Sequence, residues 1–133
     1  MLVRIDIKLK IIRTVLLLMA VFLFSLGLDH IFFPQQGHEL INQPYFEAGH
    51  PWMVMASKGL GVYFLIMGLA ALLAISNPVK DKWLVLIVVL SSALNDLIRA
   101  SAVGYSGILP VILISMVLWL LIVIFFPYEI PEK

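Results

Sequence analysis

Six side chains able to bind or transfer something stand inside runs that are otherwise apolar. They are Asp29, His30, Lys58 and, in the stretch ALNDLIRA, Asn95, Asp96 and Arg99. Carboxylates, cations, an imidazole and an amide are the groups a proton relay, an ion site or an anionic-ligand site needs, and ionisable residues within apolar segments are candidates for such work. Ser92, Asn95, Asp96 and Arg99 recur at intervals of three or four, so on a helix they make one polar stripe. A second set, His38, Glu39, Glu47 and His50, falls in QQGHELINQPYFEAGH, where imidazole and carboxylate together suit zinc or a non-haem metal. Their spacing matches no ligand motif: His38 and Glu39 are adjacent and no HExxH occurs. A polar loop that caps the protein or meets a partner is the preferred reading, and no metal is expected.

The elements that must position these residues follow from composition. Of the 133 residues, 62% are hydrophobic and 13% charged, against about 25% charged in an ordinary soluble domain. With a mean hydropathy of +1.07, the chain reads as a membrane protein. There is no cysteine, which excludes disulfides, thiolate metal sites and cysteine nucleophiles. The net charge of +1 and the lack of a basic stripe interleaved with aromatics set nucleic-acid binding aside. Neither a nucleophile elbow, a phosphate loop nor a dinucleotide fingerprint is present, so catalysis by this chain alone is not expected.

Four apolar stretches approach the roughly 20 residues a spanning helix needs. They run over about 14–33, 51–76, 83–103 and 107–126, with Pro34, Pro51, Pro78, Gly104, Pro110 and Pro127 as punctuation. The expected fold is all-α: one transmembrane domain, its four helices in an up-down antiparallel bundle, with residues 34–50 as a non-cytoplasmic loop. Seven of the nine Lys and Arg, namely Arg4, Lys8, Lys10, Arg13, Lys80, Lys82 and Lys133, fall on one side of that topology. Basic residues in short loops stay cytoplasmic, so both termini are predicted to be cytoplasmic.

The charges can then be given a height. At about 1.5 Å per residue, Asp29 lies about 22 Å above Thr14, Asp96 and Arg99 about 20 and 24 Å above Trp83, and Lys58 about 27 Å above Ser76. The hydrocarbon core is about 30 Å thick, so these groups share one band in the outer leaflet. An isolated charge there costs about 2.5 to 3.5 kcal/mol on insertion scales, which makes pairing the economical expectation. Asp96 is expected to meet Lys58 or Arg99, Asp29 the other cation, and Asn95 and His30 to complete the hydrogen bonds. Such a network is either a polar clamp fixing helix register or a ligand, proton or ion site.

Small residues give a third signal. Ser57 with Gly61, and Ala70 with Ala74, lie four apart on the second helix and, joined by Gly59 and Gly68, are expected to let another backbone approach closely. The last helix, VILISMVLWLLIVIFF, is apolar nearly all round, which suits a lipid-facing or subunit-facing position. Its Trp119 needs a partner for the indole N–H, and Ser115 one turn earlier is the expected one.

KGLGVYFLIMGLAALLAI, then a short basic loop, then ALNDLIRASAVGYSG before a final apolar helix, is an order of elements that resembles the small four-helix bacterial membrane proteins of the DoxX-like group, especially its DUF4345-type members. The resemblance covers roughly residues 57–126. It implies a four-helix bundle in a bacterial inner membrane and, for some relatives, association with quinone-linked redox partners. Taken together, the sequence points to a small accessory or scaffold subunit of a larger membrane complex, joined to other membrane subunits or to copies of itself. One alternative is a DoxX-like protein binding a quinone or lipid head group at the charged cluster. An oligomeric small-solute or ion transporter is a further one. No cofactor is required by the sequence.

Overall fold

The computed structural model describes residues 2–34, 51–103 and 109–127. Among them the chain is all-helical: α1 (Leu2–Phe32), α2 (Pro51–Ile75), α3 (Lys82–Val103) and α4 (Leu109–Phe125). Helix α1 packs most extensively against α2, α2 also against α3, and α4 lies against both α3 and α1, so consecutive helices are neighbours and the last closes on the first. Two of the four are long and apolar enough to cross a membrane, over Arg4–Phe32 in α1 and Val54–Ile75 in α2. The apolar stretch of α4, Pro110–Phe125, is shorter.

Helix α1 begins at Leu2 rather than near Thr14. The leader LVRIDIKLKIIRT interrupts the apolar run with charges but contains neither glycine nor proline, so nothing stops the helix from continuing outward. Its 31 residues span about 46 Å at 1.5 Å per residue, well beyond the hydrocarbon thickness of about 30 Å. Helix α4 is described from Leu109, the expected start at 107 lying outside the described residues, and it places Pro110 near its beginning, where the missing N–H costs little.

The inward positions recur at three and four. On α1 they include Ile12, Leu16, Met19, Ala20, Leu23 and Gly27; on α2, Ser57, Gly61, Phe64, Gly68, Ala71 and Ala74. The outward faces carry large apolar groups such as Leu17, Val21, Val62, Ile66, Leu73, Leu94, Leu97 and Ile124. Large apolar groups on the outward faces as well as in the core, with small residues reserved for the α1–α2 seam, depart from a water-soluble bundle, whose outer faces are polar, and suit helices whose surroundings are as apolar as leucine.

The α1–α2 seam is antiparallel and unusually close. A Cβ built on Gly61 would lie 2.7 Å from the Gly27 carbonyl oxygen, and one on Gly27 would lie 2.9 Å from the Gly61 oxygen. Only hydrogen at both positions allows that approach. Gly68 is looser, its nearest contacts being Phe24 and the Ala20 oxygen at 3.3 and 3.4 Å. Gly59, by contrast, faces open space.

Each end of this pair is closed by a side chain from the opposite helix. Arg13 Nη2 donates to the Ser76 carbonyl at 3.1 Å, just past the end of α2. Ser57 Oγ donates to the His30 carbonyl at 3.2 Å, in the last turn of α1. The last carbonyls of a helix have no partner within it, so the two helices cap each other reciprocally.

Candidate functional site

On α3, Val85, Val88, Val89, Ser92 and Asp96 turn inward while Leu90, Leu94, Leu97 and Ile98 turn outward. Asp96 is 6% exposed. Its Oδ2 accepts a hydrogen bond from Trp119 Nε1 of α4 at 3.1 Å. The indole therefore pairs with the carboxyl of the neighbouring helix and not with Ser115 of its own, because the rotational setting of α4 aims half-buried Trp119 across the α3–α4 interface. An N–H bond to a buried carboxyl is the stronger choice, contributing about 1.5–3 kcal/mol against about 1 for a neutral pair.

Around this bond the four helices converge on a polar node. Ser92, Asn95 and Asp96 of α3, Tyr63 of α2 and Ser115 of α4 line a cavity with Phe22 and Leu26 of α1, and its volume is about 10 Å³. That is room for about one water molecule. Pockets that take drug-sized ligands are about 300–1,000 Å³, so a quinone ring or a lipid head group has no space here.

The other expected members of the cluster are distributed differently. His30 is buried in the α1–α2 seam: Nδ1 donates to the Leu26 carbonyl at 2.8 Å, and its ring meets Phe64 edge-on with centroids 5.4 Å apart. Asp29, beside it, is half-buried. Lys58 is exposed on the outside of α2, which corrects its expected role as a counter-ion within the bundle. Ser57 and Gly61 both face α1, and the next position is turned about 100° away from Ser57 at 3.6 residues per turn. Among the described residues Asp29 and Lys58 are not joined as an ion pair. A long lysine on an outward face can instead lay its methylenes along the helix and carry its ammonium toward the interface. The Arg99 side chain lies outside the described residues, as do His38, Glu39, Glu47 and His50. Among the described residues no group of three or more His, Asp or Glu is arranged to hold a metal.

Of the small residues singled out on α2, Ser57, Gly61, Gly68 and Ala74 are buried and Ala70 is half-buried. The backbone that comes close to Gly61 and Gly68 is α1 of the same chain. Three functional features were not picked out from the sequence. Gly27 stands alone in an apolar helix; its seven-residue spacing from Ala20, two helical turns along one face, was the available signal. Tyr63 reaches the node from α2, and Arg13 acts as a cap as well as a topology signal. Comparison of the chain with family models, with curated proteins and with solved structures finds no match.

Proposed function

We propose that this chain is a small integral-membrane accessory subunit that works through its outward apolar faces, with the Asp96–Trp119 node serving as an internal polar clamp. The observation that carries the reading is the size of the node: with room for about one water, it holds helices together and offers no chamber to a ligand. In a bundle with little hydrophobic drive between helices, interhelical hydrogen bonds and close small-residue seams supply that cohesion. The quinone or lipid head group alternative is disfavoured at this position by the same volume.

The reading takes all four helices as membrane spans, in the arrangement expected of a DoxX-like bundle in a bacterial inner membrane. The Arg13 to Ser76 bond supports one part of the topology, because it brings the basic leader to the same end as the turn carrying Lys80 and Lys82. Basic residues gathered at one end favour that end as cytoplasmic.

The test is extraction of the tagged chain from its own membrane in mild detergent, followed by native electrophoresis and quantitative mass spectrometry of the band. A heteromeric assembly with partner subunits in fixed ratio supports the proposal. Migration as a monomer or homo-oligomer with no stoichiometric partner overturns it.

A further inference from the structure

A concavity larger than the polar node lies on the outside of the bundle, a groove between α3 and α4. It has a volume of about 310 Å³, thirty times that of the node, and its walls are Val85, Leu86 and Val89 of α3 with Ile122, Val123 and Phe126 beside α4's end. Lys82 and Trp83 form its mouth. The groove climbs α3 for about two turns, which is the shape of an acyl chain lying along a helix pair.

The mouth opens at the most basic end of the molecule. Lys80 and Lys82 are exposed there, Arg13 is fixed nearby by its bond to the Ser76 carbonyl, and Lys10 lies one turn away on α1. Asp81 is the acidic residue within this turn; it directly precedes α3, where a carboxylate suits the positive end of the helix dipole. Trp83 is 67% exposed, and an exposed indole at a helix end beside lysines is the arrangement that settles at head-group depth. Apolar walls leading up from a cluster of cations complement one kind of molecule: a phospholipid with an anionic head group.

We propose that the α3–α4 groove seats one acyl chain of an anionic diacyl phospholipid whose phosphate is held by Lys82 and Lys80 at the basic end. The proposal rests on the membrane reading above and gives that reading a specific lipid. Charge selects the lipid and the groove fixes where it stays. Basic side chains near an anionic lipid surface contribute about fivefold in affinity each.

The experiment is native mass spectrometry of the full chain released from micelles containing phosphatidylglycerol and phosphatidylethanolamine of identical acyl chains. Retention of one phosphatidylglycerol in preference to phosphatidylethanolamine is expected. The preference should fall about fivefold in Lys82→Ala and about 25-fold in the Lys80→Ala/Lys82→Ala variant. Leu86→Trp, which fills the groove from an exposed position, should remove the adduct, while Lys58→Ala, an exposed lysine elsewhere, should leave it unchanged. Helix content by circular dichroism checks that each variant folds. Equal retention of the two lipids, an adduct that survives Leu86→Trp, or equal losses from Lys58→Ala and Lys82→Ala would each overturn the proposal. So would a dimer in place of a lipid adduct, since the groove would then be filled by a second copy. Failure of the membrane reading looks different: the chain would stay in solution without detergent.

Discussion

The closest test of the fold is a pair of glycines on one helix. Gly61→Ala puts a methyl 2.7 Å from the Gly27 carbonyl oxygen, 0.7 Å short of the 3.4 Å at which ordinary contact begins. The same methyl meets Ile31 at 2.7 Å and His30 Cβ at 3.1 Å. Ile31 can change rotamer, but a helical carbonyl cannot move alone, so the α1 and α2 axes must separate at their crossing. Overpacking of this kind costs about 1–3 kcal/mol, and a backbone neighbour argues for the upper half of that range. Gly59→Ala meets nothing within 4 Å. Both changes gain the same helix propensity, about 0.8–1 kcal/mol, so the difference between them isolates the steric cost. The expectation is a gap of about 2–3 kcal/mol, with Gly59→Ala neutral to stabilising and Gly61→Ala destabilising. Unfolding by sodium dodecyl sulfate in mixed micelles, followed by circular dichroism, reads the gap directly. Equal shifts for the two variants would refute the close approach of α1 and α2.

The polar node and the caps give further tests by the same assay. In a double-mutant cycle, Asp96→Ala and Trp119→Phe should each destabilise by about 1.5–3 kcal/mol and couple by at least 0.5 kcal/mol; additive effects would mean that the hydrogen bond does not form. Ser57→Ala removes a donor to a buried carbonyl and should cost about 1–3 kcal/mol, whereas exposed Arg13→Ala should cost less than about 1 kcal/mol. Lys58→Leu, on an outward face, should change stability by no more than about 0.5 kcal/mol, and a loss of several kcal/mol would restore it to the interior.

The number and course of the helices were legible because apolar run length and proline position are local signals. Pro51 opens α2, and α4 stops at Phe125 two residues before Pro127, as the runs imply. The extension of α1 was missed for a related reason: Arg4, Asp6, Lys8, Lys10 and Arg13 end the apolar run but not the helix, since charge interrupts hydrophobicity without disturbing backbone geometry. The polar stripe on α3 did turn inward at Ser92 and Asp96. Its partners were not legible, because the choice between Ser115 and Asp96 for Trp119 depends on how α4 is rotated against α3, which no spacing within one helix encodes. Height along the membrane normal grouped Lys58 with Asp96, but height leaves out azimuth. The small-residue face through Ser57 and Gly61 carried that missing angle, and it turns Lys58 away from the bundle.

The reciprocal caps of α1 and α2 bear on how this protein can move. Sliding one helix along the other by a single turn, about 5.4 Å, would break the Arg13 and Ser57 bonds at once and would set larger side chains against the Gly27–Gly61 crossing. The α1–α2 hairpin is thus locked at three points along its length and travels as one rigid arm. Among the described residues, α3 and α4 are joined instead by the Asp96–Trp119 bond and flank an open groove, so this half is the less constrained against sliding. Any partner that shifts the shape of this protein has its leverage on that half.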